Sequence, residues 1–272
     1  MHGVRPDEHG RSPVGIDRGI PAVERHPGEP RILPVLRREA VERGRVGLKT
    51  EDHRVLHPAP IDLERAFQLY LAALLEGDRR AAVRVTEEAA RSHPITSVYR
   101  QIVEAAQVEV GECWARNEIS VAREHMATAI SQYVLGTLYA HLPIPERTLG
   151  RAVITGVEGE KHQLGSHMVA DLLEAEGWSV RFLGTQVPHR DIVEVAREHG
   201  AKAVGISATM LTSLDGVDGL IRDLRETLGP ELRIVVGGRA FPAGSGLWRE
   251  LGADATGRNL DEALEAFRTL LP

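Results

Sequence analysis

Two short stretches of this sequence combine residue types and spacing that could do chemistry. Residues 156–165 read Gly-Val-Glu-Gly-Glu-Lys-His-Gln-Leu-Gly. His162 can turn one ring nitrogen to a metal, while Glu160, two residues earlier on the same side of an extended segment, can take the proton of the other nitrogen. Such a carboxylate fixes the tautomer and raises the basicity of the ligating nitrogen. Further on, Ser207 offers a hydroxyl, and the pair Gly237-Gly238 leaves bare backbone against which a bulky group can lie. The second stretch is Trp114, nine residues, then Glu124-His125. Alone, a histidine after a strand is usually a polar loop residue, a Gly-Gly is usually a turn, and a tryptophan near a helix end is usually core.

The elements around these residues give them a context. Beyond residue 151, apolar runs of strand length (152–157, 180–183, 203–207, 234–236) alternate with amphipathic segments of about a dozen residues. A final unit follows at 253–256 and 260–271. Strand, helix, strand in repetition predicts a doubly wound parallel sheet of flavodoxin-like or Rossmann-like kind, an α/β fold whose ligand crevice lies at the carboxyl ends of its first and third strands. His162, Ser207 and Gly237-Gly238 all fall at that edge. Upstream, residues 61–143 show four amphipathic helices, at about 62–76, 79–91, 95–114 and 119–142, with short links that imply an antiparallel four-helix cap. Pro143 and Pro145 punctuate the boundary, so the sheet domain is set at 150–272. Residues 1–60 hold eight of the fifteen prolines and no sustained period, and read as an irregular tail with at most a short helix over 35–41.

With these residues in place, the sequence resembles the cobalamin-binding domain shared by methionine synthase, methyltransferase corrinoid proteins and B12-dependent light sensors. The family signature is Asp-x-His-x-x-Gly, Ser-x-Leu and Gly-Gly. Here it reads Glu160-x-His162-x-x-Gly165, Ser207-x-Thr209 and Gly237-Gly238, with glutamate in place of aspartate and threonine in place of leucine. The resemblance implies cobalamin bound with its dimethylbenzimidazole tail released from cobalt and buried near Ser207 and the paired glycines. It also implies His162 as the lower cobalt ligand, with Ser213 in the cofactor-binding set. The cap is similar to that of light-sensing adenosylcobalamin repressors, which implies Trp114 sheltering the upper adenosyl group, Glu124 contacting it, and His125 taking the upper cobalt position after light.

On that resemblance, the leading expectation is a light sensor or signalling module that holds adenosylcobalamin between cap and sheet domain and changes conformation on photolysis. It would be a binding protein and not an enzyme. The repressors' winged helix-turn-helix has no counterpart in residues 1–60, so output would pass through an unidentified partner protein or through homo-oligomerisation. Photocobilins share the layout and imply biliverdin or another bilin as a second pigment, for which no signature is found here. The alternative is a corrinoid shuttle protein of a methyltransferase system. A nicotinamide site is disfavoured because Gly156, Gly159 and Gly165 do not form G-x-G-x-x-G. A zinc site of Glu160, His162 and His167 lacks a fourth ligand.

Composition narrows the classes. A single cysteine, Cys113, excludes an intramolecular disulfide, and a net charge of −6 with interleaved signs gives no basic stripe for nucleic acid. No segment reads as a signal peptide or a membrane span, so a cytoplasmic location is expected.

Overall fold

The computed structural model describes residues 60–270. The expected irregular tail, with the short helix considered over 35–41, therefore lies outside the described residues. The cap begins with α1 (Leu63–Glu76) and α2 (Arg79–Ser92). Asp62 caps α1 by accepting from the Arg65 amide at 2.8 Å, and Asp78 caps α2 by accepting from the Ala81 amide at 2.9 Å. Between them Gly77 sits at φ 76°, the left-handed conformation that ends a helix at least cost in glycine.

The third cap helix is not the uniform α-helix that the sequence suggests. It starts as α3 (Ile95–Val98), widens into a π-helical turn (Tyr99–Glu104) and resumes as α4 (Ala105–Ala115). The reason lies in the spacing of its core residues. Val98, Ile102, Ala106 and Val110, all buried, recur every four residues. In a regular α-helix that repeat drifts by roughly 40° each time. A wider turn brings the series back toward one face. The last cap helix, α5 (Val121–Leu138), is capped by Ser120 and ends in a short 3-10 turn (Tyr139–His141), slightly earlier than expected.

The sheet domain comprises β1 (Gly150–Gly156), α6 (Leu164–Glu176), β2 (Trp178–Gly184), α7 (His189–His199), β3 (Ala203–Ser207), α8 (Leu214–Leu228), β4 (Arg233–Gly237), α9 (Leu247–Glu250), β5 (Ala255–Gly257) and α10 (Leu260–Leu270). All strand pairs are parallel, in the order β2-β1-β3-β4-β5. This is the flavodoxin-like arrangement, whose strand order reverses between β1 and β3. The four-residue α9 and the lateness of β5 were not anticipated.

Two apolar cores flank the sheet. On one face Val153, Val204, Ile234 and Val236 pack with α7 and α8 through Ile192, Leu220 and Leu224. On the other, Ile154 and Val235 join α6, α10 and the cap interior, from Phe267 and Leu172 to Tyr99 and Leu135, in one continuous cluster. The cap is thereby built into the sheet domain's core, which fixes its helices relative to the strand ends.

Candidate cofactor site at the carboxyl edge of the sheet

Beyond β1 the chain turns through residues 157–163 before α6, and this turn carries Glu160 and His162. Glu160 has no exposed surface, and its carboxylate collects six donors. Oε1 accepts from the amides of Lys161 and His162, both at 2.9 Å, and from His162 Nδ1 at 2.5 Å. Oε2 accepts from the Thr209 amide at 2.7 Å, the Met210 amide at 3.4 Å and the Ser213 hydroxyl at 3.2 Å. The carboxylate thus ties the loop after β1 to the loop after β3. Burial alone would raise its pKa, but hydrogen bonds from His162 and from the Thr209 and His162 amides outweigh this and hold it at about 2.

An ionised carboxylate can only accept, so His162 Nδ1 carries the proton. The other ring nitrogen, Nε2, is left for a metal, and the side chain is 52% exposed. Its hydrogen bond to Glu160 raises the His162 pKa against the opposing effect of burial, with smaller contributions from the charges of Glu160 and Glu124. Glu124 therefore acts electrostatically on the same imidazole from the cap side.

Beside this pair a pocket opens between the strand ends and α6 and α10. Gly165, Ser207, Gly237 and Gly238 line it, together with Ile154, Val169, Val235 and Phe267. Gly238, at φ 97°, is compelled: a Cβ there would stand 2.4 Å from the Ala208 carbonyl oxygen. At Gly165 a Cβ would meet nothing within 4 Å. Bare backbone thus gives the pocket its width, and apolar side chains make it suited to a flat, weakly polar group.

The structure therefore brings together Glu160, His162, Thr209 and Ser213 in one network, and Gly165, Ser207, Gly237 and Gly238 in the adjoining pocket. Thr209 contributes its amide. Trp114 lies near the end of α4 and is 47% exposed, while Glu124 and His125 lie near the N-terminus of α5. The His125 ring, 75% exposed, bonds through Nδ1 to its neighbour Glu124 at 2.5 Å. No hydrogen bond joins Trp114 or His125 to His162 among the described residues. Cys113 is buried, and its thiol pKa is pushed up to about 11 by burial and by the neighbouring Glu118 and Glu109.

The zinc alternative finds no support: among the described residues no cluster of three or more His, Cys, Asp or Glu side chains could hold a metal. His167 is engaged elsewhere, stacked on Phe182 at 4.9 Å and 3.7 Å from Asp171. Sequence reasoning missed several participants. Gln186, at φ 64°, donates to the Glu160 carbonyl at 2.9 Å and accepts from the Gly159 amide, bracing the histidine turn. Its place just after β2 was the available signal. Glu104 of the cap also lines the pocket.

A half-exposed imidazole, steered by a buried carboxylate at the switch point of a parallel sheet, defines a cofactor-binding α/β module with a helical cap. Comparison with known proteins gives the family. B12 binding domain families match residues 66–139 and 150–267, covering cap and sheet domain in turn. Dimethylamine corrinoid protein 3 of Methanosarcina acetivorans is 30% identical over 212 residues, 77% of this chain and 99% of that protein. Dimethylamine corrinoid protein 1 of Methanosarcina mazei is 28% identical over 76% of this chain and 97% of its own length. The structure of the Methanosarcina barkeri monomethylamine corrinoid protein superimposes with a TM-score of 0.68 at 26% identity, covering 76% of this chain and all of that one. The chain belongs to the B12-binding family with a helical cap. These relatives are corrinoid proteins, not light sensors, and among the described residues no helix is long and apolar enough to cross a membrane.

Proposed function

We propose that this protein is a corrinoid carrier, which holds a cobalamin at the edge of its sheet and presents it to partner methyltransferases, without catalysing a reaction alone. The observation that carries this reading is the His162–Glu160 pair beside a glycine-walled pocket, in a chain that matches methylamine corrinoid proteins over nearly their whole length. Bound cobalamin supplies a cobalt that can accept a methyl group and give it up again. His162 would hold the cobalt through Nε2, while Glu160 keeps the Nδ1 proton. Ser207, Gly165 and the paired glycines take the nucleotide tail. Trp114, Glu124 and His125 belong to the cap side, where a partner would approach, and a cytoplasmic location fits this role.

A test is reconstitution of the full chain with hydroxocobalamin, followed by gel filtration. Pigment should co-elute with protein at one equivalent and, once its cobalt is reduced to Co(I) by an added low-potential reductant such as titanium(III) citrate, accept a methyl group when a corrinoid methyltransferase and its methylamine are supplied, the demethylated amine being released. Colourless protein would overturn the reading.

A second reading is retained on one observation, the Trp114, nine-residue gap, Glu124-His125 pattern with Glu124 acting on His162. It makes the protein a light sensor loaded with adenosylcobalamin, in which His125 would ligate cobalt after photolysis and a bilin would be an added pigment. The methylamine corrinoid relatives favour the carrier.

A further inference from the structure

The third cap helix contributes Glu104 to the pocket and is tied to the sheet domain at points along its length. Arg100 pairs with Asp261 at 2.8 Å, Glu104 accepts from the Leu260 amide at 2.9 Å, and Arg239, directly after the paired glycines, reaches Glu112 at 2.5 Å. The first two anchors come from the π-helical turn, whose Tyr99 also donates to Asp171 of α6 at 2.8 Å. A π turn changes the direction of the side chains it carries. Here three of them meet the cofactor domain.

Glu104 differs from the other anchors because it lines the pocket itself. The buried walls of that pocket are apolar, from Ile154, Val235 and Phe267, whereas its more exposed rim carries Glu104, Asn259 and Arg258, the last paired with Glu262. One Glu104 oxygen is committed to Leu260, and the other has no hydrogen-bond partner among the described residues. Burial raises the Glu104 pKa, partly offset by that amide. The nucleotide tail of a cobalamin has the matching polarity, with an aromatic base at its tip and a hydroxyl-bearing sugar between base and phosphate. A base among the apolar walls leaves the sugar at the rim, where a carboxylate oxygen awaits a donor.

Resting on the corrinoid reading above, we infer that Glu104 is a specificity-determining residue of the tail pocket, accepting a hydrogen bond from the sugar of the nucleotide tail while holding the cap helix across the rim. The site thereby distinguishes complete corrinoids from those without a nucleotide, through a residue that the cap supplies.

The test compares hydroxocobalamin with cobinamide, which has the same ring without the nucleotide, in equilibrium dialysis against the full chain. Glu104→Ala should weaken cobalamin binding about tenfold, as expected for one lost hydrogen bond to a charged group, and leave cobinamide within about twofold. Glu104→Gln preserves the shape and an accepting oxygen, and should lose about threefold with the same restriction to cobalamin. Circular dichroism and melting establish which variants fold, and the glutamine variant decides the matter if the alanine variant does not. Equal losses for both corrinoids, or unaltered cobalamin binding in the folded variants, would overturn the inference. Parent protein that binds neither corrinoid would instead overturn the corrinoid reading, a separate result visible before any variant is made.

Discussion

His162 Nδ1 lies 2.5 Å from Oε1 of Glu160, and that carboxylate is closed to solvent on every side. The same side chain is the acceptor for three donors on the loop after β3, so it orients the imidazole and joins two loops at once. Glu160→Ala would strand buried donors on both. We expect a loss of about 3 kcal/mol in unfolding free energy, with a smaller loss for Glu160→Gln. Urea unfolding of the cofactor-free protein measures both. A midpoint for the alanine variant equal to that of the parent would mean that the network contributes nothing to stability.

His162→Ala should leave the fold intact, since the ring is half exposed and among the described residues its polar partner is Glu160. The nucleotide pocket remains, so cobalamin should still bind, more weakly by about tenfold. Its absorption spectrum should shift to that of a corrinoid without a lower nitrogen ligand. Retention of the parent spectrum would remove His162 from the cobalt.

Much of this site was legible because its parts recur at the ends of elements that announce themselves. The apolar runs at 152–157, 203–207 and 234–236 could only be buried strands between amphipathic helices, and the handedness of such units brings their carboxyl ends to one edge. The sequence pattern alone therefore brings Glu160, His162, Ser207 and Gly238 to one edge. Glu104 was not, because its partner Leu260 is 156 residues away. Nothing local marks a helical glutamate as a pocket residue. The four-residue recurrence of Val98, Ile102, Ala106 and Val110 did hint at the π turn, but the same recurrence is tolerated in a slightly rotated α-helix. Trp114, Glu124 and His125 were legible as a pattern, whereas their exposure is set by how the cap docks.

Asp171 gives stability a pH dependence opposite in sign to that of Glu160. Burial raises the Asp171 pKa from 3.8 to about 7, offset in part by the hydrogen bond from Tyr99. His167 nearby is shifted down by its own burial, so the pair favours its neutral forms. An aspartate raised in the folded state is ionised first in the unfolded chain. Its contribution is therefore greatest below pH 3.8 and declines as pH rises toward 7, by at most about 1.4 kcal/mol per pH unit. Glu160, lowered from 4.5 to about 2, contributes fully above 4.5 and loses that contribution as pH falls toward 2. Asp171→Asn should thus be more stable than the parent at pH 8, with the advantage shrinking as the solution is acidified to pH 4. An advantage independent of pH would show that the carboxyl is not held neutral.

Gly238→Ala should destabilise the protein by about 2 kcal/mol, since the new Cβ would combine a left-handed backbone with a 2.4 Å approach to the Ala208 carbonyl. Relief of that clash must shift the turn after β4 or the turn after β3, and both border the pocket, through Gly238 and Ser207. Thermal melting should show the loss, and dialysis should show weaker cobalamin binding with little effect on cobinamide. An alanine variant matching the parent in both would mean that this loop has room to spare.

His125 separates the two functional readings. Its ring is largely exposed and Nδ1 is taken up by Glu124, whose other oxygen accepts from Thr128. Nε2 is thus presented outward near the N-terminus of α5, and neutral imidazole is a good ligand for cobalt. A carrier makes no demand on that nitrogen, because the upper face must stay open to the partner. A light sensor does, because capture of the upper position would make its light state persist. We expect parent and His125→Ala, each loaded with adenosylcobalamin and illuminated, to yield products with the same spectrum and the same rate of cofactor loss, with water or hydroxide opposite His162. A parent product with nitrogen on both faces, absent from the variant and longer-lived, would reverse the ranking and make the protein a sensor.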